Sequence, residues 1–185
     1  MASVSIIVVI VIVVLILGFA VILYNRLVRL RNKVEEAWAQ IDVQLQRRHD
    51  LIPNLVSPVK GYAAHEKTVL EDVTTARTAA MGAKGAEAAG KSEEGLTAAL
   101  GRLFAVAEAY PDLKADANFR QLQSELSDTE DKVAFARQYY NDNVREWNTR
   151  ISSLPDMMVA RMMAAQKAEY FEVEGGAGAA PQVSF

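Results

Sequence analysis

Residues 4–23, VSIIVVIVIVVLILGFAVIL, form a run of twenty apolar or small residues without one charged side chain. At about 1.5 Å of rise per residue, a helix of this length spans roughly 30 Å, the hydrocarbon thickness of a bilayer. The segment is therefore expected to cross a membrane once. Arg26, Arg29, Arg31 and Lys33 crowd its exit, whereas no side-chain charge precedes it. Basic residues favour the cytoplasmic side, so residues 1–3 are expected outside and the long C-terminal part in the cytoplasm. The same four side chains are expected to contact the membrane surface through anionic headgroups. A cleaved signal peptide would need a basic leader, a shorter apolar run and a small-x-small cleavage site. The flanks Met1-Ala2-Ser3 and Tyr24-Asn25-Arg26 supply none of these.

Residues 24–172 suffice for a domain with a sizeable core. The chain has no cysteine, which excludes disulfides, thiolate metal sites and a cysteine nucleophile. A formal net charge of −3 leaves no basic footprint for nucleic acid.

An apolar stripe runs through Leu27, Leu30, Val34, Trp38, Ile41, Leu45, His49, Ile52, Val56, Val59, Ala63, Glu66, Leu70, Val73 and Arg77. Its mean step of about 3.57 residues is the helical period and far from the alternation of a strand. The spacing predicts one very long helix continuous with the membrane span. Pro53 and Pro58 lie within it, and because the stripe keeps its phase across both they read as kinks rather than a chain reversal. The alternative is a break between Asn54 and Pro58.

Residues 82–95, GAKGAEAAGKSEEG, carry no large apolar side chain and are expected to form a loop or frayed turn. Ser92 then reads as the cap of a short helix that Pro111 terminates. A second stripe follows through Phe119, Leu122, Leu126, Thr129, Val133, Ala136, Tyr140, Val144, Trp147, Ile151 and Leu154, with a mean step of about 3.5 residues. It predicts a long helix returning antiparallel along the first, with Trp38 and Trp147 as core anchors between them. Pro155 ends that helix. A short amphipathic helix is expected between Asp156 and Phe171, and residues 173–185 are expected to be a flexible tail. The fold class is thus all-α: an anchor helix running into an elongated antiparallel bundle.

Chemistry-bearing motifs are few. His49 and His65, placed on one helix, would point roughly 160° apart and could not share a metal. No zinc-protease, phosphate-loop, dinucleotide or nucleophile-elbow pattern occurs. Catalytic, metal and cofactor residues are accordingly expected to be none. His49, Glu66 and Arg77 sit on the apolar stripe; kinks and stripe edges expose them, or else they mark a buried polar network or a partner site. Glu35-Glu36, Arg47-Arg48 and Asp128 to Lys132 read as solvated faces. Met157, Met158, Met162 and Met163 suit contact with lipid or a partner, or a cap on the bundle.

The blocks YNRLVRLRNKVEEAWAQIDVQLQRRHDLIPNLV, VKGYAAHEKTVLEDVTTAR and ARQYYNDNVREWNTRI, with the terminal PQVSF, resemble the LemA family of bacterial membrane proteins. Pro58 departs from that pattern, which leaves the number of kinks open. The resemblance implies a helical bundle in the cytoplasm behind an anchor in the inner membrane, with no enzymatic activity or cofactor to carry over. A magnetosome-associated relative suggests membrane shaping, and genomic proximity to a membrane metalloprotease suggests an adaptor. The expected function is a scaffold that self-associates as a homo-oligomer and organises the bilayer, or else an adaptor for another membrane protein.

Overall fold

The computed structural model describes residues 2–63 and 65–172; the tail expected at 173–185 lies outside them. The fold is all-helical, as the periodicities require. Among the described residues are six helices: α1 (Ala2–Tyr62), α2 (Lys67–Gly82), α3 (Ala86–Glu108), α4 (Pro111–Ala115), α5 (Ala117–Ser152) and α6 (Asp156–Met162). They fall into two compact units. Among the described residues, one combines the chain through Ala39 with Tyr139–Ala168; the other combines Gln40–Gln138 with residues 169–172.

In the first unit, the large apolar side chains of α1 from Ile6 to Ile22 are 47–67% exposed. No protein surface covers them, which is what a lipid-facing segment requires. Burial starts at once after that: Leu23, Leu27, Leu30, Val34 and Ala37 are buried at helical spacing. The same unit buries Tyr140, Val144, Trp147 and Ile151 of α5 and Val159 and Ala160 of α6. Trp38 meets Tyr140 with ring centroids 5.5 Å apart and planes tilted by 58°, an aromatic geometry that favours edge over face. The expected helix between Asp156 and Phe171 shortens to the two turns of α6. Beyond it the chain lies along α5, because the Trp147 indole donates to the Gln166 carbonyl at 2.9 Å and the Asn148 amide brackets Ala168 with bonds of 2.9 and 3.0 Å. These side chains satisfy backbone groups that helix would otherwise satisfy. Leu154, expected to end the second stripe, instead lies past α5 and is 69% exposed.

The second unit corrects the first stripe. Helix α1 passes through Pro53 and Pro58 but ends at Tyr62, next to Gly61, whose backbone freedom opposes helix. Ala63 still donates to the Val59 carbonyl at 2.7 Å, whereas Glu66 donates to Ala63 at 3.0 Å and tightens the turn. The chain then reverses, because Arg77 of α2 bonds the backbone of His49 twenty-eight residues earlier. His65 falls in this turn and is exposed. The stripe keeps its phase across the reversal since both arms face one core. That core takes Ile52, Leu55 and Val59 from α1, Val73 from α2, Leu96, Leu100 and Leu103 from α3, Leu113 from α4, and Phe119 and Leu126 from α5.

Residues 86–95 are helical rather than a loop. Alanine is the strongest helix former, and Glu87 in the first turn pairs with Lys91 at 2.7 Å. The hydrogen bond and charge of Lys91 hold the Glu87 carboxyl below its usual range. Ser92 is no cap; it lies inside α3 and its hydroxyl returns to the Ala88 carbonyl at 2.9 Å.

Candidate functional site

The densest polar constellation lies in the second unit, around three helices. Helix α1 supplies Arg48 and His49, α3 supplies Glu93 and Thr97, and α5 supplies Glu130. Arg48 is only 3% exposed and Glu93 only 4%, so both charges have left water and must be paired. One terminal nitrogen of Arg48 donates to Glu93 Oε2 at 2.5 Å; the other donates to Thr97 Oγ1 and to Glu130 Oε1, both at 2.7 Å. The second carboxylate oxygen of Glu93 stands 2.6 Å from His49 Nε2. Among the described residues, Arg48 Nε has no hydrogen-bond partner. The guanidinium thus joins three helices through a fork geometry that an ammonium could not reproduce.

A groove of about 270 Å³ opens beside this cluster, lined by Arg48, Glu93, Glu130, Val133, Arg137 and Phe171. Phe171 is 1% exposed. Its segment approaches α3 so closely that a β-carbon at Gly90 would stand 2.0 Å from the Glu172 carbonyl oxygen. At Gly85 the backbone has φ of +87°, a conformation glycine alone adopts freely. In the first unit a second groove, of about 370 Å³, is lined by Arg31, Val34, Glu35, Trp147, Met163 and the run Ala164 to Ala168 without Lys167. Among the described residues no group of three or more His, Asp or Glu side chains is placed to hold a metal ion.

The structure brings together His49 and Arg77, two of the three polar positions marked on the first stripe. Glu66 stays apart, half-buried at the N-cap position of α2 without capping through its side chain. Arg26, Arg29, Arg31 and Lys33 are all exposed on α1, Arg31 pairing with Glu35 at 3.0 Å. Of the methionines, Met158 and Met162 are exposed, while Met157 and Met163 are half-buried.

Sequence reasoning missed the centre of the cluster. Arg48 and Glu130 were expected on solvated faces and Glu93 in a loop, yet Arg48 and Glu93 are buried and Glu130 pairs with Arg48. The signal was in the spacing: Ile41, Leu45, Arg48, Ile52, Leu55 and Val59 are the buried ladder of α1 in this unit, and Ala86, Ala89, Glu93, Leu96 and Leu100 that of α3. A charge in phase with such a ladder faces the core.

Comparison with known proteins matches the LemA family over residues 37–185. The magnetosome protein MamQ 1 of Paramagnetospirillum magneticum and MamQ of Magnetospirillum gryphiswaldense are each 26% identical over 187 residues, covering 87% of this chain and 68% of the relative. The LemA protein of Metamycoplasma hominis is 26% identical over 152 residues, covering 80% of this chain and 68% of its own length. None of these names states an enzymatic activity.

Proposed function

This chain belongs to the LemA family, and from that premise we propose that it is a non-enzymatic, membrane-anchored helical scaffold that self-associates and organises the bilayer. The observation that carries this reading is the junction on α1. The large apolar side chains from Ile6 to Ile22 are exposed, whereas Leu23, Leu27 and Leu30 are buried, so the apolar segment passes into packed protein within about one turn and on one helix. A tether would place loose chain there. A helix without a linker transmits the angle of the anchor to the unit that grips it, which is what an organising element needs. The basic exit of Arg26, Arg29, Arg31 and Lys33 supports placement of the packed part on the cytoplasmic side of the inner membrane.

Full-length protein reconstituted in vesicles of phosphatidylcholine and phosphatidylglycerol, imaged by electron cryomicroscopy, tests the reading. Ordered assemblies are expected, and inserting flexible glycines between Tyr24 and Leu27 should abolish them while leaving membrane attachment and helix content intact. Monomers at membrane-like densities, or assembly unchanged by the insertion, would overturn it. Cross-linking that yields one stoichiometric foreign partner and no self-adducts would favour an adaptor instead.

A further inference from the structure

The first unit carries an apolar patch that its own packing leaves uncovered. Leu154 is 69%, Met158 65% and Met162 88% exposed, three large apolar side chains within nine residues at the corner between α5 and α6. Helix α6 turns Val159 and Ala160 inward, so Met158 and Met162, four apart, share its outer face. Scattered exposed apolar residues are ordinary, but a cluster on a helix already buried on its other side points to a partner phase.

The register inside this unit says where the patch lies. Trp38 faces Tyr140, and Arg31, Val34 and Glu35 share a groove with Trp147, so α1 and α5 run antiparallel here. Continued at equal rise per residue to Ser152, the last residue of α5, that pairing sets the α5–α6 corner alongside about residues 26–29 of α1. These lie within two turns of Ile22, the last of the exposed apolar run. Tyr24, 48% exposed, stands between the two, where an amphipathic ring suits a bilayer interface. Arg26 and Arg29 of α1 and Arg161 of α6 are exposed on the same unit and supply cations of the kind that anionic headgroups attract.

We infer that the α5–α6 corner, through Leu154, Met158 and Met162, docks into the bilayer interface beside the anchor as a second membrane contact. The inference rests on the anchored reading above. One helix crossing a membrane is free to spin and tilt; a lateral contact on the same unit fixes both. Methionine suits this role because its unbranched, polarizable side chain adapts to a disordered surface.

The absence of cysteine makes the test direct. Full-length variants Leu154→Cys, Met158→Cys and Met162→Cys, with Ile12→Cys and Asp131→Cys as references, are labelled with an environment-sensitive fluorophore and placed singly in nanodiscs of phosphatidylcholine and phosphatidylglycerol. Acrylamide is then titrated in. The three corner labels should be quenched several-fold less than the Asp131 label and emit at shorter wavelength. All five side chains are exposed and outside the buried core, and far-UV dichroism checks the fold of each variant. Corner labels as accessible as Asp131, with the Ile12 label shielded, would overturn the inference and leave the anchor standing. An accessible Ile12 label would overturn the anchor itself. Shielding seen only in crowded vesicles and lost in single-copy discs would assign the patch to a second copy of the chain and overturn lipid docking.

Discussion

The guanidinium Nε of Arg77 donates a 2.8 Å hydrogen bond to the carbonyl of His49. That carbonyl is the one Pro53, four residues on, cannot serve, because proline has no backbone N–H. Helix α1 therefore passes a proline without breaking since α2 returns a donor to the vacancy. The exposed Asn54, whose carbonyl Pro58 leaves in the same way, can turn to water instead.

Arg77→Met should cost about 1–3 kcal/mol, the scale of stranding a buried acceptor. In a Pro53→Ala background the alanine N–H can serve the His49 carbonyl, so the same substitution should cost about 1 kcal/mol less. Chemical denaturation of the four-member cycle measures the coupling. Equal costs in both backgrounds would show that Arg77 does not complement the proline.

Arg48→Met leaves Glu93 buried beside an uncharged neighbour and should destabilise by about 3–5 kcal/mol. Arg48→Met combined with Glu93→Gln should recover part of that loss, because the amide removes the buried charge while keeping a polar group for His49 Nε2. Thermal unfolding of the single and double variants checks this. A double variant no better than Arg48→Met would point to steric rather than electrostatic damage.

Gly90→Ala should destabilise by about 1–3 kcal/mol through overpacking, because the new β-carbon would stand 2.0 Å from the Glu172 carbonyl oxygen. Gly95, on the same helix, has nothing within 4 Å of its β-position. Gly95→Ala should therefore stabilise by about 0.5–1 kcal/mol by helix propensity alone. Hydrogen exchange at residues 169–172 should rise in the first variant and stay unchanged in the second.

Trp147→Phe removes the donor to the Gln166 carbonyl together with the pyrrole part of a buried indole. It should cost about 1–3 kcal/mol, hydrogen bond and lost volume together, and raise proteolytic cleavage around Ala164 to Ala168, since that run is held by side-chain bonds rather than by helix. Cleavage at the wild-type rate would show that the Asn148 bracket suffices alone.

The apolar run at 4–23, both stripes and the end of α5 before Pro155 were legible from residue order, because each depends on contacts within one helix or on the phase of one face. Periodicity reports that a face is buried. It does not report what buries it, so the stripe through Ala63 reads the same whether the chain continues or doubles back. Only the tertiary structure decided that α2 reverses, since the donor that favours reversal, Arg77, acts on His49 across twenty-eight residues. Glu93 shows the same division. Its own neighbours are small and charged and suggest a loop; its phase with Ala89 and Leu96 marks a face, but the charge that lets it be buried there, Arg48, stands forty-five residues away. Charge burial depends on a partner arriving in space, and the partner's arrival is a property of the packed chain.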